Sequence, residues 1–527
     1  MEMECCSYML PLVASCFFFL CSFFHALLAT RRRSGDVCCG SRHAPRSHPV
    51  LGCLVEFYRN RRRLLDWYTG LLAASPSQTV VVERLGARRT VVTANPANVE
   101  HLLKANFGNY PKGKPFTEVL GDLLGGGIFN ADGEPWRAQR KLVSHEFTAR
   151  ALREQVGAAL EAEARARLVP ALDAAAAGGG EVDVQELLRQ FAFNVICRVS
   201  LGADPGDETA LPLSRLAAAF DAAAAIVARR GAAPVAAVWK AKRALGVGSE
   251  QRLREEVGVI HDAITELVRR GRRKHRSRDD LVSRMAAAGY GNEAIRDMVI
   301  SFVMAGRDTT SSALTWFFWL MTRHRDVEDE VLGEIESASR TCGRDGDGGV
   351  GVGVDLDGSR RMRVLHAALC ETMRLYPPVA WDSKHAAGAD VLPDGTRVAR
   401  GDRVTYFPYG MGRMESIWGA DAGEFRPRRW LLAPPQDGEG VSPFKFPVFQ
   451  GGPRACLGKE MAFLQMKFVA SAVLRRFELR AVDEGRSPVF VPLLTAHMAG
   501  GLRVTVRRRT RQQKGTCCES AVASRTS

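Results

Sequence analysis

Hydrophobic and polar positions recur along most of the chain at the spacing of amphipathic helices, with short β-branched runs between them. Residues 150–270 are rich in alanine and arginine at this spacing, and glycines at 178–180 and between 202 and 206 divide them into several helices. Residues 79–92 contain two β-branched runs around Gly86-Ala87, which predicts a hairpin. The pattern therefore predicts several helices joined by short loops, together with a small β region.

The longest predicted helix covers residues 292–324. At 1.5 Å per residue it would be about 50 Å long, enough to cross the whole body. Charged residues at 296–297 and polar ones at 307–312 interrupt its apolar run, so we interpret it as a buried core helix and not as a membrane span. A glycine beside threonines in mid-helix costs stability and can bend a helix, so residues 305–310 predict a distortion beside a functional groove.

A shorter helix is predicted at 364–375, where a Tyr-Pro-Pro sequence ends it. Glu371 and Arg374 are three residues apart and share one face of this helix. An exposed pair of this kind contributes about 0–1 kcal/mol. Here the neighbouring positions are apolar, so the pattern favours a buried pair that needs a third charged partner.

The N-terminal pattern differs from the rest, because residues 8–29 carry no formal charge and three arginines follow at 31–33. This length is enough to cross a hydrocarbon core of about 30 Å as a helix. The arginines place the body on the cytosolic side of a membrane. A cleaved signal peptide is the alternative, but its basic cluster would lie on the other flank. We predict a transmembrane anchor helix with its basic stop at 1–33, a hinge at 34–52, one catalytic domain at 53–510 and a polar tail at 511–527.

Composition narrows the class of protein. The chain has 527 residues, 46% of them hydrophobic, which is enough for a large core. Seven of its 13 cysteines precede residue 54 and two more form a pair at 517–518, which is too sparse for a disulfide framework and indicates a reducing compartment. The net charge of +15 suits an anionic membrane surface or an acidic protein partner. No zinc-finger or RNP pattern accompanies it, so nucleic acid is not an expected partner.

Residues 449–458 read Phe-Gln-Gly-Gly-Pro-Arg-Ala-Cys-Leu-Gly, a tight glycine-rich loop around Cys456. Glycines let the backbone approach a flat cofactor closely, and the arginine can neutralise an acidic edge of it. The chemistry predicted is haem iron held by a cysteine thiolate, a ligand that pushes electron density toward O–O cleavage. A buried cysteine after a turn is the alternative, since free cysteine mostly behaves as a small hydrophobe, but it leaves the glycines and the arginine unexplained.

The positions Phe449, Gly452, Arg454, Cys456 and Gly458 resemble the haem-binding loop of the cytochrome P450 monooxygenases. The resemblance extends over most of the chain, in four motifs that occur in the order of the family. It implies the mostly helical P450 fold, haem b as the cofactor and Cys456 as the axial ligand of its iron. It also implies electrons from an NADPH-cytochrome P450 reductase, a monomer, and a location at the endoplasmic reticulum membrane.

The resemblance assigns a second motif to the haem propionates. Trp136 and Arg140 are four residues apart on one predicted helix face, and the family uses a Trp and an Arg at this spacing, together with the arginine equivalent to Arg454. Lys384 is assigned to the same task. Taken alone, the first pair also fits an exposed basic helix face. The glycines at 125–127 predict a flexible loop, and in the family the segment at this place folds over the substrate.

A third motif, Ala-Gly-Arg-Asp-Thr-Thr at 305–310, resembles the oxygen-binding motif of the family. The resemblance implies that Asp308 and Thr309 form an acid and alcohol pair that relays protons during O2 activation. A kinked helix with an exposed ion pair is the alternative. Thr309 also argues against a P450 that rearranges hydroperoxides without O2 or a reductase, because that chemistry has no need of a proton-delivering alcohol.

A fourth motif supplies the third charged partner of the buried pair. Residues 425–430 look like the Pro-Glu-Arg-Phe region of the family, which implies a structural triad of Glu371, Arg374 and Arg429. Arg428 stands where the family has a glutamate, so the chain departs from the family at one local position.

Three segments, 129–133, 305–310 and 409–415, resemble the plant fatty-acid hydroxylase group of the P450s. The resemblance implies a lipid-like substrate, a fatty acid hydroxylated at or near its ω end. Some members of that group instead oxidise a jasmonate–amino acid conjugate. Both substrates combine a carboxylate with an apolar chain, so both alternatives stay open. The alternative from a different class is a membrane-anchored haem or electron-transfer protein, but the sequence has no Cys-x-x-Cys-His attachment.

Overall fold

The computed structural model describes residues 45–201, 213–233, 235–274, 281–341, 352–432, 440–483, 485 and 487–509. The predicted anchor, most of the predicted hinge and the predicted polar tail lie outside these residues. Within the part of the chain that the structure describes, no helix is both long enough and apolar enough to cross a membrane.

Helices make up most of the described residues, as the sequence pattern predicts. Short π-helical turns at 152–156 and 164–168 join three of them, α6, α7 and α8, into one continuous helical segment. In chain order the helices are α1 Leu54–Arg59, α2 Leu64–Ala74, α3 Pro96–Glu100, α4 Lys114–Leu124, α5 Gly133–Val143, α6 Ala149–Ala151, α7 Gly157–Glu163, α8 Val169–Gly178, α9 Val184–Leu201, α10 Leu213–Ala232, α11 Ala236–Leu245, α12 Ser249–Lys274, α13 Leu281–Ala287, α14 Asn292–Arg323, α15 Arg325–Thr341, α16 Leu356–Arg361, α17 Arg363–Leu375, α18 Pro408–Met411, α19 Glu415–Trp418, α20 Arg429–Leu432 and α21 Lys459–Leu474.

Short strands form four small sheets. The largest has the strand order β1-β2-β7-β4, in which β2 and β7 are parallel and the other pairs antiparallel. A second sheet has the order β3-β11-β8, and β5-β6 and β9-β10 are two-stranded. The strands are β1 Thr79–Val82, β2 Thr90–Thr93, β3 Glu181–Asp183, β4 Asp382–His385, β5 Asp390–Val391, β6 Arg397–Val398, β7 Arg403–Tyr406, β8 Phe477–Ala481, β9 Phe490–Val491, β10 His497–Met498 and β11 Arg503–Arg508.

Local sequence signals set several of these boundaries. β1 and β2 form the predicted hairpin. The Asn95 side chain accepts a hydrogen bond from the backbone N–H of Ala97 at 2.9 Å, so α3 begins at the proline that follows Asn95. Gly179 has a φ of +63° and ends α8, because this left-handed conformation is readily adopted only by glycine.

Helix α14 runs through the core and ends one residue before its predicted end. It packs against α9, α12, α17 and α21 and is buried over most of its length, which explains why apolar residues occupy all of its faces. The predicted distortion at 305–310 is not seen, because the whole segment is α-helical. Thr309 Oγ1 does donate back to the Ala305 carbonyl, at 2.7 Å, without breaking the helix.

The loop predicted at 125–127 is present, and its glycines are held against α14. The backbone N–H of Gly126 donates to Asp297 Oδ2 at 2.9 Å. A Cβ on Gly125 would overlap the Asp297 carboxylate, and one on Gly127 would overlap the Ser301 hydroxyl. The glycines therefore serve close packing, which a sequence pattern does not distinguish from flexibility.

Candidate functional site

The loop at 449–458 has the tight shape that its glycines predict. Gly452 has a φ of +61°, and a Cβ there would overlap the Leu103 carbonyl. The backbone N–H of Cys456 donates to the carbonyl of Phe449 at 2.8 Å, which closes the loop on itself. The Phe449 ring packs on Phe463 of α21 with 5.3 Å between centroids. The loop is thus fixed on both sides before α21 begins.

The Cys456 thiol is presented by this loop and not packed away. It is exposed, yet enough protein surrounds it for desolvation to raise its pKa, while the Gly458 N–H, Arg140 and Lys459 lower that pKa. A Cβ on Gly458 would lie 3.9 Å from Cys456 Sγ and 3.3 Å from a ring carbon of Phe147, so a side chain there would crowd the thiol. The other cysteines among the described residues are buried: Cys53, Cys197 and Cys370.

The residues predicted to hold the haem propionates lie together beside the loop. The Arg454 guanidinium lies 4.4 Å from the centroid of the Trp136 ring and that of Arg140 lies 5.8 Å from it. Arg454 Nη2 donates to Asp132 Oδ1 at 2.6 Å, and Arg140 Nη2 donates to the Ala455 carbonyl at 2.6 Å. Helix α5 therefore places its Trp and Arg against the loop that carries the thiol.

Lys384 belongs to a buried ionic cluster that the sequence analysis did not anticipate. Asp382 accepts hydrogen bonds from Lys112 Nζ at 2.8 Å, Lys384 Nζ at 3.0 Å and the Tyr406 hydroxyl at 3.0 Å. Gln450 of the cysteine loop adds a fourth at 3.1 Å. Asp382 and Lys384 are two residues apart on β4 and so share a face, which is the signal that would have paired them from sequence.

The charges of this cluster do not balance. Burial alone would raise the pKa of Asp382, but Lys112 and Lys384 hold it well below its usual range, so the carboxylate is ionised. Burial, with Lys112 and Arg454, outweighs the attraction of Asp382 and lowers the pKa of Lys384 to about 7. Two ammonium groups thus share one carboxylate in a desolvated place.

The surplus of cations fits the two carboxylates of haem b. One of the two lysines on Asp382 lacks an anion of its own, and Arg140 has no carboxylate partner among the described residues. Together with an accessible thiol on a glycine-rich loop, these groups would supply a sulfur ligand for the iron and two positive charges for the carboxylates. The residues that would hold the group are Cys456, Arg140, Lys384, Lys112, Trp136 and Arg454.

The predicted acid and alcohol lie on α14. Ala305 is exposed in the middle of a helix that is otherwise mostly buried, and Thr309 lies one turn further along. Phe302 of the same helix stacks on Phe147 with 5.9 Å between centroids, and Phe147 in turn lies close to the cysteine loop. Burial raises the pKa of Asp308. The stacked rings of Phe147 and Phe302 therefore connect the cysteine loop to the part of α14 that carries Ala305 and Thr309.

The residues of the predicted structural triad are in contact and almost fully buried. Arg374 donates twice to the Glu371 carboxylate, at 2.8 Å each, and Arg429 Nε donates to it at 2.9 Å. Trp430, which the sequence analysis left without a role, donates its indole N–H to Glu371 Oε2 at 2.8 Å. Arg428 is exposed and pairs with a glutamate of α15, so the departure from the family lies outside the triad.

The class of protein that these features indicate is a haem-thiolate protein. It combines a mostly helical fold with a thiol on a glycine-rich loop and surplus buried cations beside that loop. The cytochrome P450 family model matches residues 43–497 of the chain. The chain belongs to the cytochrome P450 family and is a haem b monooxygenase, an enzyme supplied with electrons by a reductase.

Similar proteins indicate a group within the family. The chain is 55% identical over 477 residues to cytochrome P450 94B1 of Arabidopsis thaliana, and the matched region covers 88% of this chain and 91% of that protein. It is 42% identical over 481 residues to cytochrome P450 94A2 of Vicia sativa, with coverage of 88% and 91%. The crystal structure of the cytochrome P450DA heme domain has the same fold, with a TM-score of 0.71 at 19% identity and coverage of 89% and 97%. The chain is thus a monooxygenase of the cytochrome P450 94 group.

Proposed function

We propose that this enzyme hydroxylates a fatty acid at or near its ω end, using O2 and electrons from NADPH-cytochrome P450 reductase. The observation that carries the proposal is the apolar surface of α14 beside the Thr309 hydroxyl, where Ala305 is exposed, Met304 is partly exposed and Phe302 is buried beneath them. Such a surface favours a hydrocarbon chain end and excludes water from it. The segments shared with the plant fatty-acid hydroxylase group support the same substrate class.

The roles of the side chains follow from their positions. Haem b, when bound, supplies the oxygen activation and the C–H oxidation. Cys456 would bind its iron as the thiolate, and Arg140, Arg454 and Lys384 beside the loop would orient the haem through its carboxylates. The raised pKa of Asp308 lets its carboxyl hold a proton closer to neutral pH than an exposed aspartate does. Thr309, the next residue, provides the hydroxyl through which that proton passes.

The cellular setting is part of the proposal. We place the enzyme at the endoplasmic reticulum membrane as a single-pass monomer, with its catalytic domain on the cytosolic face and the uncharged segment at 8–29 as its anchor. The net charge of +15 supports docking of a reductase that presents an acidic face.

A jasmonate–amino acid conjugate is the second candidate substrate, because it too joins a carboxylate to an apolar chain. The deciding experiment incubates the full-length, haem-loaded enzyme with reductase, NADPH and a panel of fatty acids and jasmonate conjugates, with product position read by mass spectrometry. ω-Hydroxylated fatty acids that require NADPH support the proposal. Product from the conjugates alone would replace the fatty acid, and no product from any of them would refute the substrate class.

A further inference from the structure

Asp221 is a carboxylate that ties the helix of the oxygen site to two other helices. It lies on α10, and its Oδ1 accepts a hydrogen bond from Arg307 Nη1 of α14 at 2.7 Å. It also accepts one from Arg189 of α9, whose other side approaches the exposed Glu186 at 3.6 Å. Three helices therefore meet at Asp221, and Arg307 is the residue next to Asp308.

Arg307 lies between two carboxylates but is hydrogen-bonded to only one of them. Its side chain is 3% exposed, and its Nη1 is 3.5 Å from Asp308 Oδ1. Asp308 Oδ1 is buried and accepts no hydrogen bond from any described residue. The Phe193 ring, 5.7 Å from the guanidinium, lies beside Arg307 as well. Asp221 thus holds the Nη1 end of the guanidinium, while Arg307 Nε has no hydrogen-bond partner among the described residues.

The charge state of Asp308 depends on which carboxylate Arg307 is hydrogen-bonded to. Burial raises its pKa, Arg307 and Arg189 lower it, and the negative charge of Asp221 raises it. His497 of β10 also lies in the field of Arg189 and Asp221. A direct hydrogen bond from Arg307 would favour the ionised form of Asp308, because opposite charge and a donated hydrogen bond both stabilise a carboxylate. Asp221 favours the protonated form of Asp308 instead, because its own charge is negative and because it holds Arg307 in a hydrogen bond.

We propose that Asp221 is a positioning residue for proton delivery: by holding the guanidinium of Arg307, it leaves the Asp308 carboxyl free to carry and release a proton. The proposal rests on the role of Asp308 as the acid of the proposed function. The full reaction converts substrate, O2, NADPH and one proton into the alcohol, water and NADP+. When proton delivery does not lead to cleavage of the O–O bond, O2, NADPH and one proton leave instead as hydrogen peroxide and NADP+, so a higher ratio of peroxide to NADPH reports failed delivery.

The test is Asp221→Asn in the full-length, haem-loaded enzyme with reductase, with peroxide per NADPH measured across pH. Losing the charge of Asp221 and releasing Arg307 toward Asp308 both lower the pKa of Asp308. We expect severalfold more peroxide per NADPH at neutral pH, and we expect the pH at which peroxide release rises to move downward. Asp221→Glu keeps the carboxylate and is expected to keep the profile.

Two further variants separate this role from helix packing. Glu256→Gln removes another ion pair of α10, in which Arg215 Nη1 lies 2.7 Å from Glu256 Oε2, without touching α14. It is expected to leave the peroxide profile unchanged. Arg307→Gln removes the cation itself, so the profile is expected to move to higher pH. Asp221→Asn added to it should cause a smaller downward shift than it causes alone, because only the direct charge of Asp221 is then lost and no guanidinium is released toward Asp308.

Several results would overturn the proposal. It fails if Asp221→Asn behaves like Glu256→Gln, or if its shift is the same without Arg307. It also fails if Asp308→Asn leaves peroxide per NADPH unchanged, since the acid would then have no role. Peroxide per NADPH is measured during NADPH oxidation both with and without fatty acid. If no fatty acid is a substrate, the substrate proposal is refuted, but the measurement without fatty acid still tests the role of Asp221.

Discussion

The side chain of Ile196 of α9 packs directly against Gly306 of α14 and leaves no room for a side chain there. A Cβ on Gly306 would lie 2.8 Å from both Cγ1 and Cδ1 of Ile196, which is 4% exposed and fixed in the core. The glycine of the Ala-Gly-Arg-Asp motif therefore lets α9 approach α14 closely. That approach brings Arg189 and Arg307 to the same carboxylate, so the packing of two helices and the charges beside Asp308 are coupled.

Gly306→Ala is expected to lower the free energy of unfolding by about 1–3 kcal/mol, the usual effect of adding a methyl group to a packed core. The loss should appear although alanine is favoured over glycine in a helix by about 1 kcal/mol. Urea unfolding of the haem-loaded protein measures it. Gly258 and Gly333 have nothing within 4 Å of a Cβ, so alanine at either is expected to stabilise by up to about 1 kcal/mol.

Ile196→Ala provides the second half of a double-mutant cycle with Gly306→Ala. Because the isoleucine atoms nearest the new Cβ are then absent, the double variant is expected to lose less stability than the sum of the two single losses. Strictly additive losses would show that the two residues do not interact.

Cys456→Ser is expected to abolish the red-shifted Soret band that reduced, carbon monoxide-bound haem-thiolate protein gives, because a serine hydroxyl does not replace the thiolate as ligand. The measurement is the difference spectrum of reduced protein with and without carbon monoxide. Cys370→Ser changes a buried thiol outside the loop and is expected to keep the band. A Cys456→Ser protein that retained the band would have another ligand.

Glu371→Gln is expected to destabilise the protein by about 3–5 kcal/mol, because it leaves the fully buried charge of Arg374 without its carboxylate, while Arg429 keeps only its pair with Asp421. Urea unfolding and the yield of haem-loaded protein both measure the loss. Glu330→Gln breaks the exposed pair with Arg428 and is expected to cost no more than about 1 kcal/mol. Similar losses in the two variants would mean that the triad is not a buried anchor.

The fold class and the central helix were predictable from sequence because their signals are local. The run at 292–324 is mostly apolar, and the charged and polar residues that interrupt it indicate a buried core helix and not a membrane span. Asn95 and Gly179 mark helix ends through a side chain and a φ angle. The tight shape of the cysteine loop was also predictable from a short segment, since its glycines and its cysteine are neighbours in sequence.

Other parts were not predictable, because they depend on contacts between distant segments. Asp382 and Lys112 are 270 positions apart, and only the fold shows that two lysines share one carboxylate. Arg307 and Asp221 meet across 86 positions. Gly126 was interpreted as flexible because the sequence does not show Asp297 beside it. In each case the sequence shows the residue type, but its role depends on a contact with a distant segment that only the folded structure shows.

The surplus charge at Asp382 leads to a prediction about haem retention. Burial and neighbouring cations lower the pKa of Lys384 to about 7, and a carboxylate of bound haem would raise it again. Haem binding should then take up a proton above pH 7, so haem affinity is expected to fall as pH rises from about 7 to 9, by up to about tenfold per pH unit.

Transfer of haem to excess apomyoglobin, followed across this pH range, measures that dependence. Lys384→Met is expected to release haem faster below pH 7 and to lose most of the pH dependence above it, because the titrating ammonium is gone. Lys467→Met is the matched control: Lys467 is also buried and its pKa is also lowered, but it donates to the carbonyls of Ser359 and Met362, away from the cysteine loop. If the two variants changed the pH dependence equally, the surplus charge at Asp382 would not serve the haem carboxylates, and Arg140 and Arg454 would carry that task alone.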